Sequence, residues 1–217
     1  MARYQHPEKT LDNIITTASS LFLEKGYEQT SIQDILDALH LSKGGLYHHF
    51  ASKEEILIAV IKRHGELTYR YLHEMIQSIE AENAKEKLKK VLYYLATDTQ
   101  MHRYDQTMKS QLGNAHFVVS GIQNCIRVDA PILANLIQEG IKDGSIQSDD
   151  PDLAAEVFLL LSNYWVNPAL YDLPKDQVKR RLSYLKKLLE KMGLDILDDR
   201  LMDILISSYE NLAKKEG

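Results

Sequence analysis

Ser31–Lys53, SIQDILDALHLSKGGLYHHFASK, reads as a short amphipathic helix, a tight turn and a second short helix. Ile32, Ile35, Leu36 and Leu39 recur at helical spacing and make one inward stripe. Thr30 or Ser31 caps that helix, since Thr30–Gln33 and Ser31–Asp34 both stand in capping-box register. The turn at His40–Leu41 ends on Ser42, an N-cap for a helix over 43–49. Leu46 and Phe50 fall on the core side of that helix, leaving Lys43, Gly44, Gly45, Tyr47 and His48 on the other. Glycine is a poor helix former, so two glycines in a first turn need a reason. Close approach of the backbone to DNA, with no Cβ in the way, is one reason; an ordinary turn is the other. Helix, turn and capped short helix in this order predict a helix-turn-helix, whose second helix enters the major groove.

The side chains on the outer face have the matching chemistry. Lys43 donates to guanine acceptors or to phosphate, and Tyr47 and His48 bring a hydroxyl and a ring near base edges or sugar. His49 reads either as a phosphate contact or as the edge of the core. Lys53 opens the next helix, where amides and ammonium together hold a phosphate, and Thr30, Ser31 and Ser42 offer similar contacts from helix starts. The whole chain is acidic, with a formal net charge of −5 over 217 residues. Between His40 and Lys53, however, there is no acid at all. An acidic protein with one local cationic face does not coat nucleic acid generally; it docks at one place, with salt-sensitive affinity and a need for a second copy.

Outward from this stretch the pattern stays helical. Leu11, Ile14, Ile15, Ala18, Leu21 and Phe22 predict a first helix ending near Lys25, with Gly26 as its stop. Ser52 and Glu55 open a long helix to about Ile79, with Ile56, Leu57, Val60 and Ile61 on its buried face. Leu88, Val91, Leu92 and Leu95 mark another helix, followed by a less regular stretch over 103–128 broken at Gly113, Asn114 and Gly121. Pro131 opens a helix through Ile141, and Pro151, capped by Asp149 or Asp150, opens the next. Two more helices follow at about 175–192 and 197–214. The expected fold is all-α: a three-helix helix-turn-helix module over 1–53, joined to a larger helical domain over 54–217. The start of the chain has no signal-peptide pattern, no apolar run is long enough to span a membrane, and Cys125 stands alone. A cytoplasmic protein with no membrane partner and no cofactor fits best.

From Ile14 to Ile61, IITTASSLFLEKGYEQTSIQDILDALHLSKGGLYHHFASKEEILIAVI resembles the TetR/AcrR group of bacterial transcriptional regulators. The resemblance is carried by Phe22, Gly26–Tyr27, Thr30–Ser31, Ile35, Ser42–Lys43, Leu46–Tyr47, Phe50 and Lys53. It implies that 43–49 is the recognition helix and that Thr30, Lys43, Gly44, Gly45, Tyr47, His48 and Lys53 fall where family members contact DNA. His40 departs from it, standing where the family commonly carries glycine. The resemblance further implies a C-terminal domain for dimerisation and small-molecule binding, and a ligand-responsive regulator, commonly a repressor.

Two symmetric copies need a palindromic double-stranded operator and a homodimer surface. Leu153, Val157, Leu160 and Leu161, with Leu182, Leu185 and Leu189, supply the best candidate surface; an intramolecular core is the other reading of the same stripes. The last helix lies against the core or extends that surface. Met101, Tyr104, Met108, Phe117, Ile122, Tyr164 and Trp165 suit an apolar effector cavity, with Gln111, Asn114, His116 and Asn163 as polar anchors. Asp98, His102 and His116 make a weak metal signal, so a metal-responsive regulator and a helical interaction scaffold are the alternatives to a small-molecule effector. An enzyme is disfavoured: there is no Gly-rich phosphate loop, no G-x-S-x-G and no H-E-x-x-H.

Overall fold

The computed structural model describes residues 7–98, 113–167, 170–171 and 173–213, with the side chains of 7, 8, 116 and 209–213 excepted. Its regular elements are all helical. They are α1 (Pro7–Lys25), α2 (Ile32–Leu39), α3 (Lys43–Tyr47), α4 (Lys53–Ser78) and α5 (Ala84–Thr97), then α6 (Ala115–Asn124), α7 (Ala130–Asp143), α8 (Pro151–Leu160), α9 (Lys175–Lys191) and α10 (Asp199–Ala213). Among the described residues, no helix is long and apolar enough to cross a membrane.

These residues form two compact units, one of 7–68 with 113–121 and one of 69–98 with the rest from 122 onward. The chain therefore divides inside α4, after Thr68, rather than at the start of that helix. In the first unit, Ile14, Ala18 and Phe22 of α1 meet Ile35 and Leu36 of α2, Leu46 of α3 and Ile56, Leu57 and Val60 of α4 in one core. The second core is centred on α7, which packs on α5 and α8, while α10 packs on α9 and α5. Leu133, Ile137, Phe158, Leu185, Leu189, Ile196 and Leu201 are among its buried residues. The last helix thus lies against the core: Leu201 and Met202 are buried there.

Helix is continuous where the sequence pattern predicts irregularity. Gly121 lies within α6, and Cys125–Asp129 forms a π-helical turn that runs straight into α7. That wider turn explains how Pro131 sits in a continuous helix. A regular helix would press the proline ring against the carbonyl four residues back; here the Ala130 N–H bonds five residues back to Cys125, and the turn opens before the ring arrives. A second π-helical turn, Leu161–Trp165, extends α8, with the Val166 N–H on the Leu161 carbonyl at 2.9 Å. Gly193 closes α9 at φ 78°, where a Cβ would lie 2.1 Å from the Gln147 carbonyl oxygen, so only glycine lets these two backbones meet.

Candidate nucleic-acid interface

Ser31, rather than Thr30, caps α2. Its hydroxyl accepts from the Asp34 N–H at 3.1 Å while the Asp34 carboxylate accepts from the Ser31 N–H at 2.8 Å, a reciprocal capping box. Lys25 reaches the same carboxylate at 2.8 Å. The Lys25 bond first, and then the Ser31 hydroxyl and amide, hold the Asp34 carboxyl well below the usual carboxylate range. At the other end His40 adopts φ 51°, ψ 38°, the left-handed conformation that favours glycine. The Leu41 N–H then bonds the Leu36 carbonyl at 3.0 Å, closing the helix.

Ser42 starts α3 by accepting from the Gly45 N–H at 3.2 Å. The helix is shorter than its sequence pattern predicts, ending at Tyr47 with His48 as its cap. Leu46 is fully buried and Phe50 nearly so, which pins one side of α3 to the core. The opposite side presents Ser42, Lys43, Gly44, Tyr47 and His48 to solvent, with Tyr47 52% exposed and Gly45 half-buried. Nothing in the protein lies within 4 Å of a Cβ built on Gly44. Internal packing therefore does not require this glycine.

Two residues assigned to DNA by sequence bond main-chain carbonyls of the module, Thr30 buried and Lys53 half-buried. Thr30 is fully buried, and its hydroxyl is engaged with the Gly26 and Leu21 carbonyls at 2.8 and 3.2 Å, because it fastens the α1–α2 turn to the end of α1. Lys53 sends its ammonium to the Tyr27 and Thr30 carbonyls at 2.9 and 3.0 Å, 4.3 Å from the Tyr27 ring centre. Ser31 remains exposed, and His49 is half-buried against His48, ring centres 5.2 Å apart.

The solvent-facing residues stand on a module that matches the family model "Bacterial regulatory proteins, tetR family" over residues 14–60. The chain is 28% identical over 146 residues to the transcriptional repressor KstR2 of Rhodococcus jostii, covering 65% of this chain and 70% of that protein. Over residues 14–60 the chain carries a TetR-family regulatory module. Another relative is the transcriptional repressor NemR of Escherichia coli, 30% identical over 41% of this chain and 43% of NemR. Among solved structures, RolR in complex with resorcinol has the same TetR fold at TM-score 0.59 and 20% identity, covering 94% of this chain and 96% of RolR. With this module and this fold, the chain is a transcriptional regulator rather than an enzyme.

The residues expected to form a dimer face split. Leu182, Leu185 and Leu189 are all under 3% exposed inside the second unit, because α9 turns this stripe onto its own core; they are not surface residues. Leu153 is 57% exposed, and Val157, Leu160 and Leu161 are half-buried. The sequence pattern missed Tyr184, at 63% the most exposed large apolar side chain among the described residues. Its edge meets the ring of Trp165, over which Arg181 also lies at 5.4 Å while donating to the Trp165 carbonyl.

The expected effector residues that are described are divided between the two units. Met101, Tyr104, Met108 and Gln111 lie outside those residues, as does the side chain of His116, and His102 of the metal reading is outside them too. Asn114 caps α6 through the Phe117 N–H at 3.3 Å, and both belong to the first unit, whereas Ile122, Tyr164 and Trp165 belong to the second. In that unit the two π-helical turns hold a half-buried polar cluster around the buried Cys125. Burial raises the Asp129 carboxyl to about 6, against the 3.4 Å bond it accepts from Asn124. Burial also lifts the Cys125 thiol to about 11 and pushes up the Tyr164 phenol. A groove of about 560 Å³ between Ile79, Asn83, Lys87, Glu139 and Asp143, and one of about 410 Å³ beside Thr97, Ile204 and Ser208, contain none of the expected effector residues. Among the described residues, no set of three His, Cys, Asp or Glu side chains is placed to hold a metal.

Proposed function

We propose that this protein is a cytoplasmic, homodimeric repressor that binds a palindromic operator and is released by a small apolar or aromatic effector. The observation that carries the reading is the outer side of α3. A helix anchored by Leu46 and Phe50 displays Lys43, Gly44, Tyr47 and His48 to solvent, with a glycine that nothing in the protein itself demands. Lys43 reads guanine or phosphate, and Tyr47 and His48 flank it on the groove wall. Two such helices, about 34–36 Å apart, address successive major grooves of one operator.

The dimer face comprises Leu153 and Val157 on α8 with Tyr184 on α9: Leu153 and Tyr184 are the two most exposed large apolar side chains among the described residues, and Val157 is half-buried beside Leu153 on α8. The effector site lies in the second domain, with Tyr164 as a wall residue. The binding of resorcinol by RolR, a protein of the same fold, supports an aromatic effector. Release needs a ligand that prefers the dimer geometry whose α3 helices are wrongly spaced, and the shift is only as large as that preference.

Selection of genomic fragments by the purified protein, followed by footprinting at controlled salt, tests the reading. Protection of a short palindrome by a dimer is the expected result. Salt-sensitive binding with no preferred sequence, unchanged by added small-molecule extracts, overturns it.

A further inference from the structure

α8 and α9 lie side by side and run in opposite directions. The Gly193 backbone, just after α9, meets the Gln147 carbonyl, just before α8. At the other end Trp165, which closes the turn extending α8, accepts the Arg181 bond on its carbonyl and meets the Tyr184 ring, centres 6.2 Å apart. Between these anchors Leu160 stands level with Tyr184, and Glu156 with Lys187, to about one helical turn. On the side that α8 turns away from the core, Asp149, Leu153, Glu156 and Leu160 follow one another at steps of four and three residues. The outer side of α9 carries Arg180, Tyr184, Lys187 and Lys191 at the same steps. Such spacing keeps each set on one face. The two stripes are opposite in charge: there is no Lys or Arg from Asp149 to Trp165, and from Lys179 to Lys191 the one acid is Glu190. Among the described residues, no ion pair engages Asp149, Glu156, Arg180, Lys187 or Lys191, whereas Lys186 on the flank of α9 is held by Asp199 at 2.6 Å.

A symmetric dimer presents the same patch twice, and two such helix pairs can meet face to face in two ways. With the two-fold axis across the helices, α8 lies on α8 and α9 on α9. With the axis along the helices, α8 lies on the partner's α9 and each residue keeps its level. We infer that the charges of these stripes select the second arrangement, an inference that rests on the homodimer reading above and adds its orientation. The first sets the cations of the two α9 helices against each other with no acid in the stripe, and like charges brought together across an interface are disfavoured. The second brings Glu156 against Lys187 of the partner subunit and Leu160 against Tyr184 of the partner subunit, both twice over. The stem of the partner's Lys191 then covers Leu153, with its ammonium toward Asp149. Acidic and basic stripes alternate around the four helices. Pairs of this kind add little affinity each, but they fix which faces meet and exclude the wrong ones.

Charge exchange in the full-length protein tests this. Glu156→Lys alone, or Lys187→Glu alone, should raise the dimer dissociation constant by about tenfold in sedimentation equilibrium, with helix content unchanged. Each puts two like-charged contacts into the dimer where two exposed ion pairs stood, and each such pair contributes up to about fivefold. Mixed in equal amounts, the two variants should form a heterodimer in preference to either homodimer, with an affinity near that of the original protein. Only between unlike chains does every position 156 then face an opposite charge at position 187. Dissociation constants unchanged by either substitution, or weakened variants that mix at random, overturn the pairing. A second readout needs no change of charge. Chains with Leu160→Cys and chains with Tyr184→Cys, oxidised as a mixture, should cross-link to each other. Tyr184→Cys chains that instead cross-link among themselves reveal the arrangement with α9 on α9 and overturn the inference. An original protein that stays monomeric at every concentration removes the homodimer reading itself, and the pairing with it.

Discussion

Gly44→Ala separates what the helix wants from what its target wants. In α3 the glycine has ordinary helical conformation, and a Cβ there meets open space. Alanine in a helix is favoured over glycine by about 0.8–1.0 kcal/mol. In the first turn of so short a helix we expect about 0.5–1 kcal/mol of added stability, a rise of roughly 1–4 °C in melting temperature for a chain of this size. DNA binding should move the other way. If the α3 backbone approaches the groove at Gly44, each added methyl must be accommodated at a cost of about 1–3 kcal/mol. Two half-sites make that about 2–6 kcal/mol, a loss of about thirtyfold to twenty-thousandfold in affinity. Thermal denaturation and fluorescence anisotropy on one preparation, at fixed salt, measure both effects. Gly45→Ala is the companion, its Cβ meeting only ordinary contacts at 3.5 Å to Ser42 Oγ and 3.9 Å to the Leu41 side chain. A stabilised Gly44→Ala protein that binds its operator as tightly as the original would refute the assignment of this side of α3 to the groove.

Other outcomes follow from the same geometry. His40→Gly should stabilise the protein by about 1 kcal/mol in urea unfolding, since a non-glycine residue in the left-handed region costs about 1–2 kcal/mol, partly offset by glycine's greater freedom when unfolded. Tyr184→Asp, or Leu153→Asp, should shift the protein from dimer to monomer in sedimentation experiments with helix content retained, whereas Leu185→Ala should destabilise the fold by about 2–5 kcal/mol. Because the Asp129 carboxyl is raised in the folded protein to about 6, its ionisation costs stability. Stability from this group is greatest below the unfolded value near 4 and falls as pH rises to about 6. Asp129→Asn should therefore stabilise by on the order of 2 kcal/mol at pH 7 and change little at pH 4; equal effects at both pH values in urea unfolding exclude that origin.

Helix boundaries were legible wherever a short polar side chain bonds its own backbone. Ser42, and Ser31 and Asp150 as one of two candidates each, were read as caps, and all accept from an N–H three residues ahead, a geometry that depends on local spacing alone. The inward stripes of α1 and α2, and Leu46 and Phe50 around α3, were legible for the same reason. The run across Gly121 and Pro131 was not, because a π-helical turn leaves no spacing rule that distinguishes it from a break. Thr30 misled because a threonine at a helix start has the same sequence whether its hydroxyl faces solvent or, as here, the end of the preceding helix. The stripe of Leu182, Leu185 and Leu189 misled because an apolar helix face has the same composition whether its own chain or a second copy covers it.

What the sequence by itself determined is the module: three short-range patterns, each complete within a few residues, specify the helices, their caps and the outer side of α3. Tertiary structure alone decided which residues that side leaves free. Lys43 and Lys53 differ only in whether carbonyls from a distant turn arrive at the ammonium, and Leu185 and Tyr184 only in which side of α9 its neighbours cover. Caps and stripes depend on local spacing, whereas burial and the partners of a charge depend on chain brought in from far along the sequence.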